Sequence, residues 1–198
     1  MPPLPPVTKA FMLACVAVFC VQFLTGPWIE GLFALWPLAS GNFMPWQVLS
    51  YAFLHGSFTH LFFNMLGLWM FGGELERLWG ARRFWQFLVA GALAAAAVQI
   101  VFTLLIGSRV PTVGASGALF ALLLGFGMLF PNRIIMPLFP PIPMKAKVFV
   151  AVFGGLELLF GLTGGSGIAH FAHLGGMLGG FLMIRYWRGQ SPFRRRRF

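Results

Sequence analysis

Long apolar runs separated by short polar breaks constrain this chain more than any other feature of its sequence. A helix needs roughly 20 mostly apolar residues to cross a bilayer. Six candidate runs cover about 10–25, 51–72, 84–106, 115–130, 147–163 and 168–187. The breaks between them carry proline, glycine or charge. The pattern predicts an all-α membrane protein with a six-transmembrane-helix bundle.

Composition agrees with a membrane protein and argues against a soluble one. Only 9% of the 198 residues are charged and 59% are hydrophobic, whereas a soluble domain carries about 25% charged residues. The net charge of +10 is typical of nucleic-acid binding, but the cations cluster between apolar runs and at the C-terminus. Membrane orientation explains such clusters better. We therefore expect the lipid bilayer, and no nucleic acid, as the partner of these charges.

The basic residues also predict orientation. With the N-terminus in the cytoplasm, 13 of the 14 Lys and Arg residues fall inside and only Arg109 falls outside. We expect a short cytoplasmic N-terminus at residues 1–9, a membrane domain at 10–187 and a basic cytoplasmic tail at 188–198. The first run lacks a small-residue cleavage site, so it is predicted to be a retained helix and not a signal peptide.

A serine at the start of the fourth run is the first candidate for chemistry. Ser116 stands in "VGASGALFALLLG", and His173 lies a few residues into the sixth run. Small residues follow each of them on one helical face, which allows membrane helices to approach closely. They are Gly117, Ala121 and Gly125 on the fourth run, and Gly176 and Gly180 on the sixth. The spacing predicts that His173 acts as the base for a Ser116 nucleophile.

A second polar pair lies in the second run. His60 and Asn64 are four residues apart, so they share one face of a helix, and both can donate hydrogen bonds. The predicted topology gives them a depth near that of Ser116. They are candidates for holding an oxyanion together with the free N–H groups at the start of the Ser116 helix. A polar pair that joins helices is the alternative interpretation.

The carboxylates favour a Ser-His dyad over a triad. The chain has no aspartate, and its four glutamates are Glu30, Glu74, Glu76 and Glu157. Glu74 and Glu76 belong to a predicted cytoplasmic loop, and Glu30 to an external one. Glu157 lies in the middle of the fifth run, about two helical turns from the expected depth of the dyad. We expect Glu157 to be a structural partner of another helix.

Several ordered motifs resemble those of the rhomboid intramembrane serine proteases. They are "PWQVLSYAFLHGSFTHLFFNM", "GGELERLWG", "GASGALFAL" and "AHFAHLGGMLGG". The resemblance implies a minimal six-helix bacterial-type form, an integral, multi-pass protein of the inner membrane. It further implies Ser116 and His173 as the catalytic residues of an endopeptidase and His60 and Asn64 as the oxyanion pair. Gly114, Gly117, Phe120, Gly176 and Gly180 would support them.

The resemblance also sets expectations about ligands. Substrates would be transmembrane segments of other membrane proteins, admitted sideways past the second and fifth helices, and no cofactor or metal is expected. Two departures from the family pattern stand out. Gln47 follows Trp46 where arginine is common, and Phe120 stands where some members have a tyrosine that stacks on the base.

Two other functions fit parts of the sequence. One is a non-catalytic rhomboid-like protein that binds transmembrane segments, although such proteins usually lack the serine or the base. The other is a metal transporter that uses the histidines, since imidazole is a common metal ligand. His55, His60, His170 and His173 all lie in or beside the second and sixth runs. Transport would not require Ser116, and no carboxylate is expected to accompany these histidines.

Overall fold

The chain folds into a helical bundle in the computed structural model, which describes residues 3–138, 140–163 and 169–190. Within these ranges the α-helices, in chain order, are α1 Pro6–Thr25, α2 Trp28–Phe33, α3 Gln47–Ser50, α4 Phe58–Gly67, α5 Gly73–Ile106, α6 Ser116–Leu129, α7 Ala146–Thr163 and α8 His170–Trp187. A π-helical segment, Leu68–Gly72, joins α4 to α5. Two short antiparallel strands, β1 Ile134–Ile135 and β2 Met144–Lys145, precede α7.

Three helical stretches of the described residues have the length and apolar composition to cross a membrane. They are Pro6–Thr25, Phe58–Ile106 and Ala146–Thr163. Phe58–Ile106 is 49 residues long, and Gly80 breaks it with φ 76° and ψ 161°, a conformation that glycine adopts without steric cost. Ser116–Leu129 is a shorter apolar helix. The protein is an integral membrane protein, and the count of six spans stays a prediction.

The helix that the sequence predicts over residues 51–72 begins later in the structure. Residues Tyr51–Phe53 form a 3₁₀ turn, and α4 begins at Phe58. The reason is a side-chain cap, because Ser57 Oγ accepts a hydrogen bond from the backbone N–H of His60 at 3.1 Å. Hydropathy alone does not separate the apolar residues of this turn from the helix that follows. His55 therefore lies in a loop, and His60 lies in the first turn of α4.

Glu76 ties the start of α1 to the break in α5. Its carboxylate accepts hydrogen bonds from the backbone N–H groups of Val7 at 2.9 Å and Thr8 at 2.7 Å, and from the Thr8 hydroxyl at 2.7 Å. The first N–H groups of a helix have no partner inside the helix, so the buried carboxylate supplies the acceptors that they need.

Most of the predicted basic tail at 188–198 lies outside the described residues, including Arg194 to Arg197.

The loop region between α1 and α4 is organised by Gln47, one of the departures from the family pattern. Its side chain is fully buried. Gln47 Oε1 accepts from the backbone N–H groups of Trp36 and Met44, and its Nε2 donates to the carbonyls of Leu32 and Asn42. One amide thus satisfies four backbone groups that no helix or strand would pair. Glutamine at this position holds the loop without a charge.

The seam between α6 and α8 lies at the centre of the bundle. A Cβ atom on Gly176 would overlap the backbone carbonyl of Gly117, and one on Gly180 would lie 3.0 Å from the carbonyl oxygen of Ala121. The small residues predicted to face each other therefore do so, with backbone against backbone. This contact brings the first turn of α8 beside the first residue of α6.

Candidate active site

Ser116 is the first residue of α6, which places its hydroxyl at a helix N-terminus. Gly114, two residues before Ser116, has φ 125°, and its N–H donates to the Tyr51 carbonyl at 2.9 Å. This glycine turns the chain from an extended loop into the helix. Because the first N–H groups of α6 lack intrahelical partners, they are free to face a negative charge that develops at Ser116.

The structure brings Ser116 and His173 into direct contact. Ser116 Oγ lies 2.8 Å from His173 Nε2, a hydrogen-bond distance suited to proton transfer. The ring of Phe120 lies parallel to the His173 ring, with centroids 4.3 Å apart and an angle of 7° between planes. Phe120 is one turn beyond Ser116 on α6, so the helix that carries the serine also fixes the orientation of the histidine.

His60 approaches the same hydroxyl from α4. The backbone N–H of Gly56 donates to His60 Nδ1 at 3.4 Å, which leaves Nε2 to carry the proton of the neutral ring. A methyl group on Gly114 would lie 2.7 Å from His60 Nε2 and 3.5 Å from Ser116 Oγ. Only glycine fits at position 114. The space that a side chain would fill lies beside both His60 Nε2 and Ser116 Oγ.

Asn64 lies one helical turn after His60 and is buried, with a relative exposure of 3%. Its Nδ2 donates to the His60 carbonyl at 2.9 Å, and its Oδ1 has no hydrogen-bond partner among the described residues. The second Nδ2 hydrogen remains available for a ligand. Asn64, His60 and Ser116 line one cavity.

That cavity has a volume of about 1040 Å³. Phe63 and Gly67 of α4 line it, as do Phe149 and Phe153 of α7. Ser116 and His173 line the same cavity. Its size is at the upper limit of small-molecule pockets, and most of the side chains that line it are apolar.

Glu157 corrects one expectation, because its depth was wrongly predicted. Its Oε2 lies 2.6 Å from His170 Nδ1 and 2.9 Å from His173 Nδ1. The prediction placed Glu157 in the middle of the fifth run, about two helical turns from the dyad. In the structure α7 continues six residues beyond Glu157 to Thr163, whereas α8 begins only at His170. The start of α8 is therefore at the level of the carboxylate.

The contact between Glu157 and His173 is electrostatic and poorly aligned. His173 Nδ1 is buried and makes no well-aligned hydrogen bond with any described residue, although Glu157 Oε2 is 2.9 Å away. The carboxylate is nonetheless close enough to stabilise positive charge on the ring. A carboxylate thus accompanies two of the histidines, so the sequence-based argument that none does is wrong.

His55 lies in the loop before α4, outside the membrane-spanning helices. Burial lowers the pKa of His55 to about 4, and the neighbouring His60 ring adds to this effect. The two rings meet edge to face with centroids 5.2 Å apart. A neutral His55 packs against His60 and takes no direct part in the contacts of Ser116.

The described residues thus form a multi-helix membrane protein in which a serine and a histidine from different helices share a hydrogen bond beside an apolar cavity. Residues 42–190 match the family model of the Rhomboid domain. The chain belongs to the rhomboid family, which confirms the resemblance that its motifs predicted.

Curated relatives with this similarity carry the name Rhomboid protease GlpG. Those of Yersinia pestis (strain Pestoides F) and Yersinia pseudotuberculosis serotype O:3 are each 29% identical over 194 residues, which is 96% of this chain and 65% of theirs. That of Yersinia enterocolitica serotype O:8 is 29% identical over 187 residues, 92% of this chain and 62% of the relative. This chain thus spans slightly less than two thirds of the length of these relatives.

Proposed function

We propose that the protein is an intramembrane serine endopeptidase that cleaves transmembrane segments of other membrane proteins. The observation that carries the proposal is the 2.8 Å hydrogen bond between Ser116 Oγ and His173 Nε2. The two side chains border a cavity with residues of α4 and α7 in its largely apolar lining, which supports lateral entry of a substrate. The names of the Yersinia relatives support the same class of reaction.

In the first half-reaction Ser116 is the nucleophile and His173 is the general base. Ser116 Oγ attacks the scissile carbonyl carbon as its proton passes to His173 Nε2, and the carbonyl oxygen becomes an oxyanion. The protonated His173 then gives that proton to the leaving amine nitrogen, and the C–N bond breaks. The product is an acyl ester on Ser116 and a free amine terminus.

The second half-reaction hydrolyses the ester. Water loses a proton to His173 Nε2 and attacks the acyl carbon, and the proton returns to Ser116 Oγ as the ester bond breaks. Glu157, 2.9 Å from His173 Nδ1, stabilises the imidazolium that forms in each half-reaction. The dyad thereby gains a nearby negative charge on the side of the ring that faces away from the serine.

The oxyanion is held by three donors that surround Ser116. They are the Ser116 backbone N–H, His60 Nε2–H and the free hydrogen of Asn64 Nδ2, all of which border the cavity. Gly114, Gly117, Gly176 and Gly180 act indirectly by allowing these close approaches, and Phe120 orients the base. Such preorganised donors supply much of the rate of acyl transfer.

We further propose the inner membrane of a bacterium as the location, with both termini cytoplasmic. The asymmetric distribution of Lys and Arg supports this orientation. Residues 10–187 would form the catalytic unit between a short N-terminal segment and a basic tail. A reporter enzyme that works only in the cytoplasm should be active when it is fused to the N-terminus. Activity of an N-terminal reporter that works only on the external side would contradict the orientation.

Cleavage of a reporter protein with one transmembrane segment, in proteoliposomes, tests the proposed activity. The wild-type chain should cut the segment, and Ser116→Ala and His173→Ala should abolish cleavage without lowering the thermal unfolding midpoint. Ser40→Ala is the matched control, because Ser40 lies in a loop that is predicted to be external, and among the described residues its hydroxyl bonds to nearby backbone groups. Undiminished cleavage by the Ser116→Ala variant would refute the proposal.

A further inference from the structure

A cluster of three metal-ligating side chains lies behind the catalytic histidine. Glu157 of α7 meets His170 and His173 of α8, and one ligand atom from each lies within 4.8 Å of the other two. All three side chains are largely buried, with exposures of 14%, 7% and 10% respectively. The proposed reaction uses His173 Nε2 to exchange protons, whereas Nδ1 of the same ring faces the Glu157 carboxylate at 2.9 Å.

We propose that Glu157, His170 and His173 form a zinc-class divalent metal site whose occupation switches off Ser116. Two imidazoles and a carboxylate are a ligand set that zinc uses in proteins, with a fourth position left for water. Tetrahedral bonds of about 2.0–2.1 Å place ligand atoms about 3.3 Å apart. The carboxylate lies 2.6 Å and 2.9 Å from the two nitrogens, and all three ligand atoms lie within 4.8 Å of one another, so a small rearrangement of the side chains would admit the ion.

The poorly aligned contact of His173 Nδ1 with Glu157 is a second sign that this cluster can take a ligand. His173 Nδ1 is buried and has no well-aligned hydrogen bond within the described ranges. A buried polar atom without a partner is costly, and native structures leave few of them. A metal ion between Nδ1 and the carboxylate would satisfy it, and it would also neutralise the charge that Glu157 carries inside the membrane.

Inhibition follows from the tautomer that metal binding imposes. For Nε2 to accept the Ser116 proton at 2.8 Å, neutral His173 must carry its own proton on Nδ1, which lies 2.9 Å from Glu157 Oε2. A metal ion on Nδ1 displaces that proton to Nε2. Nε2 then donates to Ser116 Oγ and no longer accepts its proton, so the general base is lost. The metal site stands on the geometry alone, whereas its inhibitory effect rests on the proposed function.

Zinc binding is tested in a Ser116→Ala background, which separates binding from activity. Full-length chain without a histidine tag is titrated with Zn²⁺ by calorimetry in detergent. One ion per chain should bind, and Glu157→Gln and His170→Gln should each weaken the affinity by at least about tenfold. His55→Gln is the matched control, a buried histidine outside the cluster, and should bind as the background does.

The outcomes of the titration are distinct. No binding at millimolar Zn²⁺, or equal affinity in the His170→Gln and background chains, would overturn the site. A thermal melt accompanies each variant, and if Glu157→Gln fails to fold, His170→Gln decides the question because it removes one ligand and keeps the carboxylate.

Inhibition is tested by labelling the wild-type serine with a fluorophosphonate. Zn²⁺ should slow the labelling at least about tenfold, EDTA should restore it, and His170→Gln should remove the sensitivity to zinc. Bound zinc without any slowing would overturn the inhibitory role. If the wild-type serine is not labelled even with EDTA, the proposed function fails, while the titration still decides whether the metal site exists.

Discussion

The two sides of α6 are built in opposite ways. Toward α8, Gly117 and Gly176 pack backbone against backbone with no room for a methyl group. On the other side, Phe63 of α4 and Phe153 of α7 border an open cavity of about 1040 Å³. Under the proposed function, the tight side would hold the atoms that react, and the open side would offer the route by which a substrate reaches them. The close contact of α6 with α8 and the cavity bordered by α4 and α7 thus lie on different sides of α6.

A methyl group in the tight seam between α6 and α8 should have the largest effect and tests the close packing directly. Gly176→Ala would overlap the Gly117 carbonyl, so the helices must separate and Ser116 must move away from His173. We expect a destabilisation of about 1–3 kcal/mol and loss of fluorophosphonate labelling. Gly155→Ala on α7, where a methyl group meets nothing within 4 Å, should leave both unchanged. Equal behaviour of the two variants would contradict the tight seam.

Asn64 tests whether the α4 side contributes to chemistry as well as to entry. Asn64→Ala removes one oxyanion donor and should lower the rate of substrate cleavage by about 10²–10³-fold, with residual activity from the other donors. Cleavage kinetics in proteoliposomes measure the effect. Asn42→Ala, in the loop between α2 and α3, is the control. A wild-type rate in the Asn64→Ala variant would limit α4 to a structural role.

Phe120 tests how strongly α6 orients the base. Removing a stacked ring costs about 0.5–1.5 kcal/mol, so Phe120→Ala should slow labelling of Ser116 by a few-fold to about tenfold. Phe120→Tyr keeps the ring parallel to His173 and should label at the wild-type rate. If both variants label equally fast, the stacking does not position the histidine.

Phe153 tests the open side and should give the smallest effect on the chemistry. It is half-buried against Phe149, with ring centroids 4.3 Å apart. Phe153→Ala widens the gap between α4 and α7, so kcat/KM for a transmembrane reporter should rise. Labelling by a small fluorophosphonate, which needs no wide gap, should stay the same. A matching change in both assays would show that α7 supports the site and does not control entry.

The tight seam was predictable from the sequence because it depends on local spacing. Residues four apart share a face of a helix, so Gly117 and Ala121 had to form one stripe, and Gly176 and Gly180 another. The structure places these stripes against each other. The position of Ser116 at a helix start also followed from the sequence, since the loop before it contains proline and glycine.

Glu157 was not predictable in the same way, because its depth depends on where two different helices end. Counting residues along α7 does not give the height of the Glu157 carboxylate relative to another helix, and the structure places it beside His170 and His173 in the first turn of α8. The contacts of Gln47 were not predictable for a related reason, because its four partners are backbone groups of a loop. The available signal was chemical: Glu157 is the one glutamate inside an apolar run away from any loop, and a buried carboxylate needs a partner.

The most direct measurement of the central claim is the site of covalent labelling in native membranes. A fluorophosphonate should form one adduct, on the peptide that contains Ser116, and the His173→Ala variant should form none. Those results would agree with a hydroxyl activated by an imidazole from another helix. An adduct on a different residue, or undiminished labelling in His173→Ala, would contradict the account.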